Sequence, residues 1–319
     1  MTERIECLSA GILVADHLCE PISHVPRAGE LILAQRLPVS IGGCAANVGI
    51  DLARLGVKVS VVGCVGRDLF GKLVIDTLQA GGAETSGVHE LADADTAGTL
   101  IINVTGEDRR FIHTIGANAR LSAEHISPER IRAAKIFYVG GYLLMKGLEG
   151  GRLAELFQLA QAAGVTTVLD IVLPGPGDHL PTLAEVLPHT DYFLPNTDEA
   201  AIITGEHDPL RQAELFRAAG ARTAVITCGQ QGSVLVGPNE RLQAGTYQVD
   251  YRGGTGSGDA FDAGFIAGLL SGEGPAGCLR WGSAAGASCV RSISATDSVF
   301  TRAEAQAFMQ ANRLAVDAI

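Results

Sequence analysis

The densest run of residues suited to chemistry is Gly253-Gly-Thr-Gly-Ser-Gly-Asp259, which leads into an apolar stretch ending at Leu270. Glycines immediately before a helix let backbone N–H groups converge with the helix N-terminus, and such a cradle holds an anion. The carboxylate at its rim, Asp259, has two readings. It is a partner of the helix dipole, or it takes a proton from an acceptor while the cradle holds spreading negative charge, as phosphoryl transfer requires.

Other polar residues stand at the ends of apolar runs. Asp16 closes the strand-like Gly11-Ile-Leu-Val-Ala-Asp16 at its carboxyl end, where open α/β sheets bind ligands. Ile41-Gly-Gly-Cys-Ala-Ala-Asn47 opens a helix whose face Ala46, Ile50, Ala53 reads as core. Gly42 and Gly43 serve either tight strand-to-helix packing or close approach to a ligand, and the Asn47 amide, set among small apolar residues, needs a partner. Pro195-Asn196-Thr-Asp-Glu199 follows a strand. Asn196 is an N-cap with Glu199 completing a capping box, or the pair serves a metal or phosphate; both readings stand.

Two further motifs fail on inspection. Gly66-Arg-Asp-Leu-Phe-Gly71-Lys72 has P-loop spacing, but Leu73 stands where magnesium needs Ser or Thr. Gly254-x-Gly256-x-Gly258 lacks the third spacing of a dinucleotide fingerprint. The eight histidines include no His-Glu-x-x-His, and Cys44 has no recognisable catalytic histidine, so metalloprotease and cysteine-nucleophile chemistry lack support.

The elements that must position these residues alternate along the chain. Apolar runs at Ile5–Val14, Val57–Val62, Ile136–Val139, Val165–Asp170, Tyr192–Leu194 and Thr223–Thr227 read as buried strands. Between them lie helical patterns at 44–55, 69–80, 148–163, 197–204 and 208–219, several closed by a glycine (Gly56, Gly81, Gly164, Gly220). The alternation predicts a parallel sheet covered on both faces. Regions 17–38 and 86–113 break it with short alternating segments that read as antiparallel strands of a small sheet, a lid over a site or an edge extension.

Composition limits the classes of function. Glycine supplies 40 of 319 residues, yet no Gly-X-Y period appears, and 47% hydrophobic against 18% charged residues describes a chain with a substantial core. A net charge of −11 argues against nucleic acid or anionic membrane as partners. The seven cysteines form no Cys-x-x-Cys pair, the first residues carry acids where a secretory leader needs positive charge, and apolar runs stay short. A cytoplasmic protein is expected.

Together the motifs resemble the ribokinase-like (PfkB) family of carbohydrate and nucleoside kinases. Gly42-Gly43-x-x-x-Asn47 is similar to the family's N-terminal signature, and Gly256-Ser-Gly-Asp259-Ala-Phe to its C-terminal one. Gly63-x-x-Gly66-x-Asp68-x-x-Gly71, Gly116-Ala-Asn-Ala119, Asn196-x-x-Glu199 and Thr227-x-Gly229-x-x-Gly232 fall in the expected order between them.

The resemblance implies a three-layer α/β/α fold with a mostly parallel central sheet and a small β-sheet lid. One kinase domain would span 1–319, with lid segments at 17–38 and 86–113. It implies ATP-dependent transfer of a phosphoryl group to a hydroxyl, commonly a primary alcohol, of a sugar. A nucleoside kinase is the alternative, and a sugar or nucleotide sensor without catalysis is a third reading. By position, Asp259 is the base, and the Gly256, Ser257 and Gly258 amides form the anion hole. Asp16, Gly42, Gly43 and Asn47 hold the acceptor. Thr227, Gly229 and Gly232, with Asn196, line the nucleotide site, while Asn196 and Glu199 organise Mg2+. The small-residue run Gly282–Ser288 would pack beside adenine. Gly253 stands where related enzymes have an acid that helps to hold a monovalent cation, which leaves potassium activation open. Phe111 and Tyr142 are the one aromatic pair near the lid, which favours a sugar over a stacked base. A homodimer through the lid completes the expectations.

Overall fold

The computed structural model describes residues 5–107 and 110–319. Residues 1–4, on which the leader reading partly rests, and 108–109, inside the second irregular region, lie outside the described residues.

The chain begins with β1 (Cys7–Gly11), β2 (Val14–Ile22), β3 (Val39–Gly42) and helix α1 (Cys44–Arg54). Then come β4 (Val59–Gly66), α2 (Leu69–Ala80), β5 (Glu84–Leu91), β6 (Ala97–Val104) and β7 (Arg110–Thr114). The middle alternates: α3 (Pro128–Ala133), β8 (Ile136–Gly140), α4 (Arg152–Ala162), β9 (Thr166–Leu169), α5 (Leu180–Val186) and β10 (Tyr192–Phe193). It continues through α6 (Thr197–Thr204), α7 (Pro209–Ala218), β11 (Thr223–Thr227), β12 (Ser233–Val236) and β13 (Arg241–Ala244). The chain closes with α8 (Ser257–Leu270), α9 (Pro275–Cys289), α10 (Arg302–Ala311) and β14 (Val316–Ala318).

Among the described residues, ten strands form the main sheet in the order β14-β13-β12-β11-β10-β9-β8-β1-β4-β5. From β11 to β5 neighbours run parallel, and the β11–β12–β13–β14 edge is antiparallel. Alternate side chains of one strand enter different cores: Phe137 and Val139 of β8 pack with the α4 and α7 residues Phe157 and Phe216. Ile136 and Tyr138 instead pack with Ala45 and Val48 of α1 and Phe265 of α8. Period-2 alternation in a strand buried on both faces therefore makes three layers, α/β/α, as expected.

Local sequence sets the helix starts. The Asp68 carboxylate accepts from Gly71 N and from Thr96 N, which explains the P-loop-like Gly66–Lys72 segment as a capped strand-to-helix turn. Pro209 follows the N-cap Asp208, and Thr301 with Glu304 forms a capping box. Gly56, Gly164 and Gly220 take the left-handed conformation after their helices, whereas Gly81 does not (φ −73°) and Gly82 takes that role (φ 90°). The helix expected at 148–163 starts at Arg152, because Gly150 and Gly151 both have positive φ.

A second sheet has four strands in the order β3-β2-β6-β7. Three of the expected details change. The run Ile5–Val14 divides at Ile12 and Leu13 and passes from one sheet to the other, since the buried Asn118 amide donates to Leu13 O and accepts from Leu13 N, both at 3.0 Å. Within 86–113, β5 joins the main sheet parallel to β4, because Gly87 lets its backbone lie against Val61 and Val62. Within the small sheet β2 and β6 pair parallel; only β2–β3 and β6–β7 are antiparallel.

Candidate active site

The site lies where α1, α8 and the carboxyl ends of β1, β8 and β9 meet. Gly256, in the left-handed conformation (φ 77°), ends the approach to α8, and Ser257 opens that helix. Gly256 N–H, Ser257 N–H and Gly258 N–H belong to the first turn, which has no side-chain cap. Ser257 Oγ donates to Gly254 O at 2.9 Å. A Cβ at Gly258 would meet nothing within 4 Å, so the cradle opens into free space.

Asn47 Nδ2 donates to Asp259 Oδ2 at 2.7 Å, joining two motifs 212 residues apart in sequence. Asn47 is 4% exposed, and its Oδ1 has no partner among the described residues. Gly43 (φ 90°) caps α1, and a Cβ there would lie 2.5 Å from Ile12 O. At Gly42 a Cβ would fall 2.1 Å from Asp16 Oδ2, so glycine is what leaves room for that carboxylate. Asp16 sits on β2 opposite Ser40 of β3 and Thr99 of β6, and is 7% exposed.

Negative charge accumulates here, and among the described residues no lysine or arginine offsets Asp170, Asp259, Asp262, Glu199 or Asp16. Cys44 Sγ, an Asp170 oxygen and an Asp259 oxygen lie within 4.8 Å of one another. Burial and the Glu199 and Asp259 charges push Asp170 well above the usual carboxylate range. Burial likewise raises Asp259, against the hydrogen bonds from Asn47 and Cys44. Asp262, one turn along α8, is buried beneath them; it accepts from Tyr138 Oη at 3.2 Å, and burial with the neighbouring Asp170 charge raises it. Burial lifts Glu199 to about 7 and Asp16 to about 6. Oxygen donors that repel one another in a partly dry site suit a hard divalent cation.

The other half of the site is built around β11. Asn196 makes a parallel bridge with Thr227, so the residues expected at metal and nucleotide are neighbours. The capping box is present: Asn196 Oδ1 accepts from Asp198 N (3.0 Å) and Glu199 N (2.9 Å), and Glu199 Oε2 accepts from Asn196 N at 3.0 Å. Gly229 (φ 54°) faces open space, whereas a Cβ on Gly232 would lie 1.9 Å from Ala244 O, a backbone reason for glycine. Gly282 packs on the Phe261 ring and Gly264 on Trp281 O, so the small residues of α8 and α9 also serve close helix packing.

The comparisons with known proteins bear on this arrangement. The family described as pfkB family carbohydrate kinase matches residues 5–302. The chain belongs to that family. The kinase is 29% identical over 308 residues to a ribokinase of Haemophilus influenzae, covering 94% of this chain and 97% of that one. In fold it is similar to an Arabidopsis thaliana ribokinase solved with ribose and ATP (TM-score 0.84, 24% identity, 96% of this chain and 99% of that one). It is also similar to an E. coli protein described as ribokinase II, in complex with ATP and Mg2+ (TM-score 0.81, 23% identity, 97% and 100%). The chain is thus a ribokinase-like sugar kinase that phosphorylates its acceptor from ATP.

Sequence reasoning missed Asp170, Cys44 and Asp262 at the kinase's centre. Asp170 carried the same signal as Asp16, a carboxylate closing an apolar strand at its carboxyl end. In sequence Cys44 reads only as a nucleophile without a histidine; burial and the Asp259 and Asp170 charges hold its thiol well above its ordinary range. Tyr142 offers no stacking surface, since it is 1% exposed in the main core, while Phe111 is 55% exposed on β7.

Proposed function

We propose that the kinase phosphorylates a primary hydroxyl of a pentose or similar sugar with Asp259 as base. The observation that carries this reading is the 2.7 Å bond from Asn47 to Asp259, which presents the base beside the Asp16–Gly42–Gly43 corner. Asp16 and the free Asn47 Oδ1 accept hydrogen bonds from acceptor hydroxyls, for which carboxylate and amide oxygens are suited. Asp259 takes the proton of the attacking hydroxyl, and the Gly256, Ser257 and Gly258 amides face the charge that spreads on the moving phosphoryl group. Thr227, Gly229 and Gly232, with Asn196, line the nucleotide, and α9 residues Gly282–Ser288 lie toward its base.

ATP is used with Mg2+. Glu199 and Asn196 would hold the ion, with Asp170 facing the same space, and the raised carboxylates are the donor set that fits it. When bound, Mg2+ supplies neutralisation of phosphate charge. No carboxylate stands at Gly253, so the kinase turns over without added potassium in this reading.

The smaller sheet, with β2, β3, β6 and β7, acts as a lid on the acceptor and belongs to one domain with the main sheet. It also supplies the dimer contact: β7 is exposed along its length, with Phe111 at 55% and Ile112 at 63%. Seven free cysteines fit a reducing cytoplasm. Among the described residues no helix is long and apolar enough to cross a membrane.

An ATP-consumption assay across pentoses, hexoses, sugar acids and nucleosides tests the acceptor class. A pentose is expected to give the highest kcat/KM; ATP binding without any response would favour the sensor. Asp259→Asn is expected to lower kcat by roughly 10³-fold or more with ATP affinity kept. Near-normal turnover in that variant overturns the mechanism.

A further inference from the structure

The chain that follows α9, residues 290–298, forms a wall of the Gly256–Gly258 cradle. A Cβ on Gly256 would lie 2.6 Å from both Cβ and O of Ala295, so this glycine is packed directly on the loop. Arg252 N and Gly253 N donate to Val290 O at 2.8 and 3.2 Å. Cys289 Sγ reaches Thr255 O at 3.3 Å and Ala295 O at 3.0 Å. The position of the loop therefore sets where the cradle amides point.

Arg291 holds the loop in that position. Its Nε donates to Ser288 O at 3.1 Å and its Nη2 to Ser298 O at 2.7 Å, closing the segment at both ends. The guanidinium carbon lies 4.4 Å over the Phe300 ring. Ser298 Oγ adds bonds to Ser288 O (2.7 Å) and Cys289 O (2.9 Å). These carbonyls end α9, where the helix leaves them unpaired and its dipole is negative. A planar fork bridges two carbonyls and stacks on a ring at once; an ammonium group does not.

We propose that Arg291 is a positioning residue for phosphoryl transfer, clamping residues 290–298 so that Ala295 fixes the Gly256–Gly258 amides. This goes beyond the roles assigned above and rests on the reading of those amides as the anion hole. Arg291 meets the residues assigned to the nucleotide only at the Ser288 carbonyl, the last of the Gly282–Ser288 run, so its removal acts on kcat rather than on KM.

The test compares Arg291→Ala and Arg291→Lys with the wild-type chain. Both are expected to lose roughly tenfold or more in kcat, with KM for ATP and sugar within about threefold. Affinity for ADP with aluminium fluoride, measured calorimetrically, should fall by a similar factor while affinity for ADP alone stays. Guanidinium chloride at millimolar concentration should restore part of the Arg291→Ala rate, entering by the open cleft of about 400 Å³ that Arg291 lines with Asp250, Arg252 and Phe300. A kcat within about twofold of wild type, or a rise in KM alone, overturns the proposal. So does an unchanged affinity for ADP with aluminium fluoride. If Arg291→Ala does not fold, Arg291→Lys carries the same comparison. Gly258→Ala separates the premise from the clamp: full activity there refutes the anion hole itself, whereas an inactive Gly258→Ala beside a fully active Arg291→Ala refutes only the clamp.

Discussion

Asp16 shows how one buried carboxylate sets a pH dependence. Burial raises it to about 6, above the ordinary 3.8, so the folded chain holds this proton more tightly than the unfolded one. Its contribution to stability is fully present below the ordinary range and is lost as pH rises through about 6. The thermal midpoint of the free kinase should therefore fall between about pH 4 and 7, and Asp16→Asn should flatten that slope; scanning calorimetry at several pH values decides. Glu199, raised to about 7, works in the same direction, and its ionised form is the one a cation needs. The stabilisation given by Mg2+ with ATP should accordingly grow between about pH 6 and 8, and a constant shift would contradict the metal role of Glu199. Asp259, Asp16 and Asn47 were legible in the sequence because each polar group interrupts an apolar or glycine-rich pattern at an element's end. Asp170 carries that signal too, but its meeting with Cys44 joins the residue after β9 to the first turn of α1, which no local pattern records.

At the scale of elements, glycine separates function from packing. Gly258 faces open space in the first turn of α8, whereas a Cβ on Gly264 of the same helix would lie 2.4 Å from Trp281 O. Gly264→Ala is expected to cost about 1–3 kcal/mol by forcing α8 from α9. Gly258→Ala should leave stability within about 1 kcal/mol, since alanine suits a helix, while kcat falls roughly tenfold or more. Urea unfolding and initial rates on both variants check the pair, and equal destabilisation would refute the distinction. Asn196→Ala should cost about 1 kcal/mol for the lost cap as well as weakening Mg2+ binding, and Asn196→Ser should recover the first loss but not the second. Most strands and helices were readable from periodicity and glycine stops. The break at Ile12–Leu13 was not, because an apolar run looks the same whether it stays in one sheet or passes to another; only the distant Asn118 decides it.

The whole molecule consists of a large sheet with two cores and a small sheet with an uncovered face. Leu100 and Ile112, paired across β6 and β7, are exposed on that face, Phe111 is exposed on the opposite one, and Leu31, Leu33 and Leu37 add apolar surface in the segment between β2 and β3. For the proposed lid dimer, Ile112→Lys is expected to halve the mass with little change in melting of the main sheet, and light scattering would show it; an unchanged mass would exclude this face as the contact. The two-residue passage at Ile12–Leu13 has a consequence for how such kinases change their diet. Asp16 and Thr99 ride on the small sheet, while Asp259, Asn47 and the glycine cradle belong to α8 and α1. In the proposed mechanism, the part that reads the sugar and the part that moves the phosphate are separate pieces of chain meeting at one corner. Exchange of the small sheet between relatives should therefore transplant a taste for a different sugar onto an unchanged engine.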